Sequence, residues 1–151
     1  MGDNLGLLRF YFVLLLIFTI GRWGLSLGGV DYDAAHQVFS IVILTSLSAA
    51  HYAAFTRAFK GYRIGQAVML GVIMAVVSQL VILISTAVSY MAGMETYFNA
   101  PRALNVEEAV GFGQAMIIRA QGLIANTIVG VVSASLGWAI GGVLPRESAG
   151  A

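Results

Sequence analysis

With 59% hydrophobic residues, only 10% charged ones and a mean hydropathy of +0.87 over 151 residues, the chain departs from the soluble norm of about one quarter charged residues. It reads as an integral membrane protein. A net charge of +1 offers no footprint for nucleic acid, and the absence of cysteine excludes thiol–disulfide exchange, thiolate metal sites and a disulfide-stapled outer domain.

The first apolar segment, 7–27, has Arg9 and Arg22 near its ends, where long side chains reach the headgroups, and Phe10, Tyr11, Phe12 and Trp23 are placed like interface aromatics. The exit Gly21-Arg22-Trp23 is unlike a small-residue cleavage site, so the segment reads as a retained span rather than a signal peptide. A short link with Gly28, Gly29, Asp31 and Asp33 turns the chain, and Asp33 is positioned to cap the next helix.

The second predicted span, 35–55, is studded with small and hydroxyl residues: Ser40, Thr45, Ser46, Ser48, Ala49, Ala50, Ala53 and Ala54. Such a surface lets helices approach closely. Arg57, Lys60 and Arg63 follow, the densest basic cluster in the chain, which the positive-inside rule places in the cytoplasm.

The third span, 64–91, contains no charge and at ~1.5 Å per residue covers roughly 42 Å, more than the ~30 Å hydrocarbon core. Gly71, Ala75, Ser78, Ser85 and Ser89 draw one small-residue stripe that should face protein, leaving Leu70, Ile73, Val77, Val81, Ile84 and Val88 mostly for lipid. Gln79 sits near mid-membrane beside the stripe.

The longest polar connection, 93–105, contains Pro101, and Asn105 with Glu108 three positions later matches a capping pattern for a new helix. A single helix over 106–144 would measure ~58 Å, too long for one simple span. It is therefore divided into a partly amphipathic portion, 106–119, and a fourth span, 122–144, stopped by Pro145. Arg9, Arg57, Lys60, Arg63 and Arg146 then fall on one side of the membrane against Arg22, Arg102 and Arg119 on the other. The expected architecture is an all-α, single-domain, four-transmembrane-helix bundle with both termini cytoplasmic and an amphipathic extension before the fourth span.

The chemistry-bearing residues are few. His36 and His51, the only histidines, would return to within about 60° of one another on a continuous helix, which raises a haem or chlorin-type pigment site. Two bis-histidine haems would need further ligands, and packing histidines are the plainer reading. Glu95, Tyr97, Asn99, Arg102 and Arg119 gather at one membrane face, where the arginines suit an anionic lipid headgroup, a quinone-type ligand or a partner surface, or are neutralised by Glu95, Glu107 and Glu108. Gln79 and Asn126 are amides expected to bond across helices, and Ser133, Gly137 and Gly141 repeat every four residues like a close-packing face. No span contains a carboxylate, which argues against proton-coupled export.

No phosphate-cradling loop, metal-ligand cluster or nucleophile–base pair stands out, and no catalytic residues are assigned. The expectation is a non-catalytic accessory subunit of a larger membrane complex, or a homo-oligomer, in a bacterial inner membrane, with lipid and other membrane subunits or itself as partners. Small-solute or ion transport, and haem or pigment binding through His36 and His51, are the alternatives.

Overall fold

The computed structural model describes residues 6–143, so the expected helix stop at Pro145 and the basic Arg146 lie outside the described residues. Among those residues all regular structure is helical: α1 (Arg9–Leu27), α2 (Tyr32–Ala35), α3 (Ile41–Lys60), α4 (Ile64–Met91), a 3-10 turn (Pro101–Leu104) and α5 (Phe112–Gly141). By length and composition α1, α4 and α5 are able to cross a membrane. In α3 the hydroxyls of Thr45, Ser46, Ser48 and Thr56, together with His51, Arg57 and Lys60, dilute the apolar content.

The helix ends follow local chemistry. Ser40 caps α3, its hydroxyl facing the N–H of Ile43, and Gly61 closes the same helix in the left-handed conformation with φ 66°. Only two residues, Tyr62 and Arg63, then separate Gly61 from α4, so α3 and α4 form a hairpin. The remaining connections are longer, yet their contacts fix a consistent up-and-down order. Tyr11 meets Thr45 while Phe18 meets Phe39, which makes α1 and α3 antiparallel. Gly71 faces Gly130 while Thr86 meets Arg119, which makes α4 and α5 antiparallel. Gly137 and Gly141 face Ala50 and Ala54 in the same order, so α3 and α5 run parallel.

Close backbone approach holds the three central helices together. A Cβ on Gly71 would come within 2.8 Å of the Ala134 Cβ, and one on Gly137 would overlap the backbone of Ala50. The stripe Gly71, Ala75, Ser78, Ser85 and Ser89 is buried, and so is Leu70, which the sequence assigned to the lipid side. Leu70 belongs to the core with Met74, Ala49 and Ala134 because the α4 interface wraps around more than one neighbour. Ile84 and Val88 are exposed.

Two expected boundaries move. Helix α3 starts at Ile41 rather than near residue 35, because Phe39 adopts a left-handed φ of 54° and its ring lies over Gly21, where any Cβ would collide with it. The amphipathic portion and the last span are one helix from Phe112, with Gly111 at its start. Asn105 instead ends the 3-10 turn with φ 56°, so the capping pattern of Asn105 and Glu108 is not used as a helix start.

At the end of the bundle that carries Arg9, Arg57, Lys60 and Arg63, no described acid is present; Asp31, Asp33, Glu95, Glu107 and Glu108 all belong to the opposite, loop end. Arg57 reaches across from α3 to α5: its Nη1 donates to the Trp138 carbonyl at 2.7 Å, and its guanidinium lies 3.6 Å from the Trp138 ring centroid. The Trp138 indole N–H donates in turn to the Tyr62 carbonyl at 2.9 Å. Loss of this charge-assisted bond and cation–π contact in Arg57→Ala is expected to lower stability by about 1–3 kcal/mol. Thermal unfolding in mild detergent checks it, with Arg57→Lys recovering only part of the loss because a single ammonium does not reproduce the stacked fork.

Candidate functional site

The loop end is closed by residues 92–111, which fold down on the bundle rather than projecting from it. Thr96, Tyr97, Phe98 and Leu104 are all buried. Phe98 is the anchor, 1% exposed and 5.5 Å from the Trp23 ring centre to centre. A hydrogen-bonded scaffold supports it: Asn99 Oδ1 accepts from the Thr96 N–H at 2.7 Å, Asn99 Nδ2 donates to the Met94 carbonyl, and the Thr96 and Ser89 hydroxyls pair at 2.7 Å. Asn99 is therefore an internal brace of the loop.

Tyr97 ties this loop to the connection after α1. Its hydroxyl is shared between the Val30 carbonyl at 2.7 Å and the Asp31 carbonyl at 3.0 Å, and its N–H donates to Ser26 Oγ. Burial, and then the negative charge of Asp31, push the phenol above its ordinary pKa. The hydroxyl stays protonated and donating at physiological pH.

The two loop-end arginines named from the sequence are used differently. Arg102 is exposed and pairs with Asp33 at 2.5 Å, a surface bridge of small energetic value. Arg119 turns inward: Nη2 donates to the Phe98 carbonyl at 2.6 Å, Nη1 to the Ala103 carbonyl at 3.2 Å and Nε to Thr86 Oγ1 at 3.0 Å. Every acceptor is neutral. Glu95, Glu107 and Glu108 are exposed and form no ion pair with either arginine, so neutralisation by glutamate is not the arrangement found.

Arg22 was read as an interfacial anchor, and its position inside the bundle end was not legible without the loop. Its guanidinium lies 5.5 to 5.8 Å from the centroids of Tyr32, Tyr97 and Phe98, and Nη1 donates to the His36 carbonyl at 3.2 Å. Arg22, Arg119, His36, Ser40, Tyr32 and Phe98 thus come to one cavity of about 190 Å³. A wider, shallower depression lies between the first connection and residues 93–101.

His36 and His51 do not share a helix. His36 ends α2, with its Nδ1 donating to the Asp33 carbonyl at 3.1 Å and its ring stacked on Tyr32, whereas His51 is exposed on α3 in a groove with Phe10, Leu14 and Phe55. The periodicity that placed both histidines on one seam fails at Phe39. Among the described residues no three His, Asp or Glu side chains converge as a metal-ligand set.

Deeper in the bundle, Gln79 is 4% exposed and makes no hydrogen bond within the described chain. Asn126 Nδ2 donates to the Gly122 carbonyl of its own helix at 2.9 Å, and a Cβ on Gly122 would sit 3.8 Å from Gln79 Oε1. The two amides are neighbours on the α4–α5 seam without a bond joining them. The chain matches no family model, no curated protein and no solved structure.

Proposed function

We propose that this protein is a four-span, non-catalytic subunit of a membrane assembly, formed with other chains or with copies of itself, in a bacterial inner membrane with both termini cytoplasmic. Four spans are supported by the position of α3, which packs along α4 and α5 and at 20 residues is ~30 Å long, the thickness of the hydrocarbon core. The orientation is supported by the end formed by Arg9, Arg57, Lys60 and Arg63, which among the described residues carries no acid.

The observation that carries the subunit reading is Gln79. An amide near the middle of an apolar span gains from a hydrogen bond that its own chain does not supply; among the described residues no fully enclosed side-chain nitrogen or oxygen lacks a partner, so the Gln79 amide keeps an accessible edge that a helix from another chain can bond. Native mass measurement after gentle extraction tests this: the wild type is expected as a complex, and Gln79→Leu as a smaller species. A wild-type monomer with no partner would overturn it. The same amide favours one second reading, in which it borders a solvated path through the membrane. Solute or ion flux into liposomes that vanishes with Gln79→Leu would select transport instead.

A further inference from the structure

The cavity at the loop end combines two fixed positive charges with no negative one. Its wall includes Arg22 from α1, Ser40 and His36 from the first connection, and Arg119 from α5, and among the described residues no carboxylate lines it. The two acids of that connection are engaged elsewhere. Asp33 holds Arg102 on the exposed surface, and the Asp31 side chain accepts the Asp33 N–H. A guanidinium presents five N–H donors. Arg22 uses one of them on the described chain and Arg119 three, all on neutral oxygens.

Both guanidiniums are also held in place before any ligand arrives. Three aromatic rings surround Arg22, and the Phe98 and Ala103 carbonyls with Thr86 fix Arg119. Since among the described residues the rings take no N–H hydrogen bond from Arg22 and the His36 carbonyl takes only one, four of its N–H groups are left for an acceptor. Their depth matters as well. Arg22 lies five residues before the end of α1 and Arg119 seven residues after the start of α5, roughly 7 to 10 Å below the helix ends by helical rise. Helix α5, with 30 residues, is ~45 Å long and overhangs a ~30 Å hydrocarbon core by about 7 Å at each end. Both charges therefore sit at the boundary between hydrocarbon and headgroups.

We propose that the cavity between Arg22 and Arg119 binds a phosphate group, either that of an anionic lipid headgroup or a free phosphate anion. Two guanidiniums match the oxygens of a phosphate with paired, charge-assisted hydrogen bonds, and the Ser40 hydroxyl lines the same wall. At about 190 Å³ the space holds a phosphate and a few atoms of an attached alcohol, while it falls below the ~300 Å³ at which pockets for drug-sized ligands begin. The site does not depend on the subunit reading of Gln79, which does not line this cavity.

Thermal unfolding of the intact protein in an uncharged, phosphate-free detergent tests the site with two probes, inorganic phosphate and dioctanoyl phosphatidylglycerol, against sodium chloride of equal ionic strength. At least one phosphate probe is expected to raise Tm by several degrees beyond the chloride control. Arg22→Gln, which removes one hydrogen bond and the three ring contacts of the guanidinium, should weaken that probe at least tenfold. Activity of the lipid alone assigns a headgroup site, and activity of inorganic phosphate assigns a free-anion site. The proposal is overturned if neither probe exceeds chloride, or if the shift persists undiminished in Arg22→Gln. Arg119→Gln is expected to weaken the probe likewise; should it fail to fold, Arg22→Gln alone decides.

Discussion

Gly137→Ala is expected to cost about 3 kcal/mol or more and to abolish the native bundle in mild detergent. A single methyl at this position overlaps the Ala50 backbone of α3. Overpacking a core by one methylene typically costs about 1–3 kcal/mol because side chains move aside, but a main chain inside a helix has no rotamer to change. The parallel α3–α5 pair must separate, and with it the Gly141–Ala54 contact one turn away. Gly24→Ala is the matched control. It lies inside α1 with nothing within 4 Å of its added methyl, so helix propensity alone should raise stability by up to about 1 kcal/mol. Thermal unfolding of the two variants should therefore move in opposite directions from the wild type.

Arg119→Leu carries the second large expected loss, about 2–4 kcal/mol. The guanidinium spans the Phe98 carbonyl, the Ala103 carbonyl and Thr86 Oγ1, so its removal strips three acceptors of a charged donor at once. Thr86 is fully buried and still donates to the Ile82 or the Phe98 carbonyl, which keeps part of the loop connection alive. The Ala103 carbonyl has no such substitute. Amide exchange is the readout: protection over residues 96–104 should fall well before that of α4, since the loop loses its tether while the helices keep their glycine contacts. Arg119→Lys preserves the charge but reaches fewer acceptors, and an intermediate exchange rate is expected.

The contrast between helix and loop explains what the sequence allowed. Ile64–Met91 is legible because an uncharged apolar run has one way to satisfy its backbone in hydrocarbon, and Gly61 with Arg63 marks where it begins. The start of α3 was not legible. Ser40 and Ile41 continue an apolar pattern already present at Ala35, and only the Phe18 and Gly21 surfaces of another helix explain why Phe39 turns left-handed. Similarly, Asn105 and Glu108 satisfied a local capping pattern, but the 3-10 turn anchored by buried Leu104 uses Asn105 as its end. Local spacing also grouped Arg102 with Arg119, whereas the fold sends one to the surface and brings the other to Arg22, 97 positions earlier in the chain. Arg57 was read for its charge alone. That it caps the far helix through Trp138 depends on the parallel alignment of α3 and α5, which no local pattern encodes.

The Tyr11 phenol sets an order on the making of this protein. It sits in α1, which is synthesised before α3 and α4, is wholly buried, and its hydroxyl is held by Thr45 at 3.0 Å and by the Met74 carbonyl at 3.1 Å. Neither partner has left the ribosome when α1 is complete, and the second arrives only when α4 is more than a third built. Until then a tyrosine in hydrocarbon has to lean toward the interface for water. Helix α1, made before the helices that hold it, consequently settles only after them, waiting in the bilayer for a docking surface that later helices create, while α4 and α5 seal backbone to backbone as soon as both are inserted.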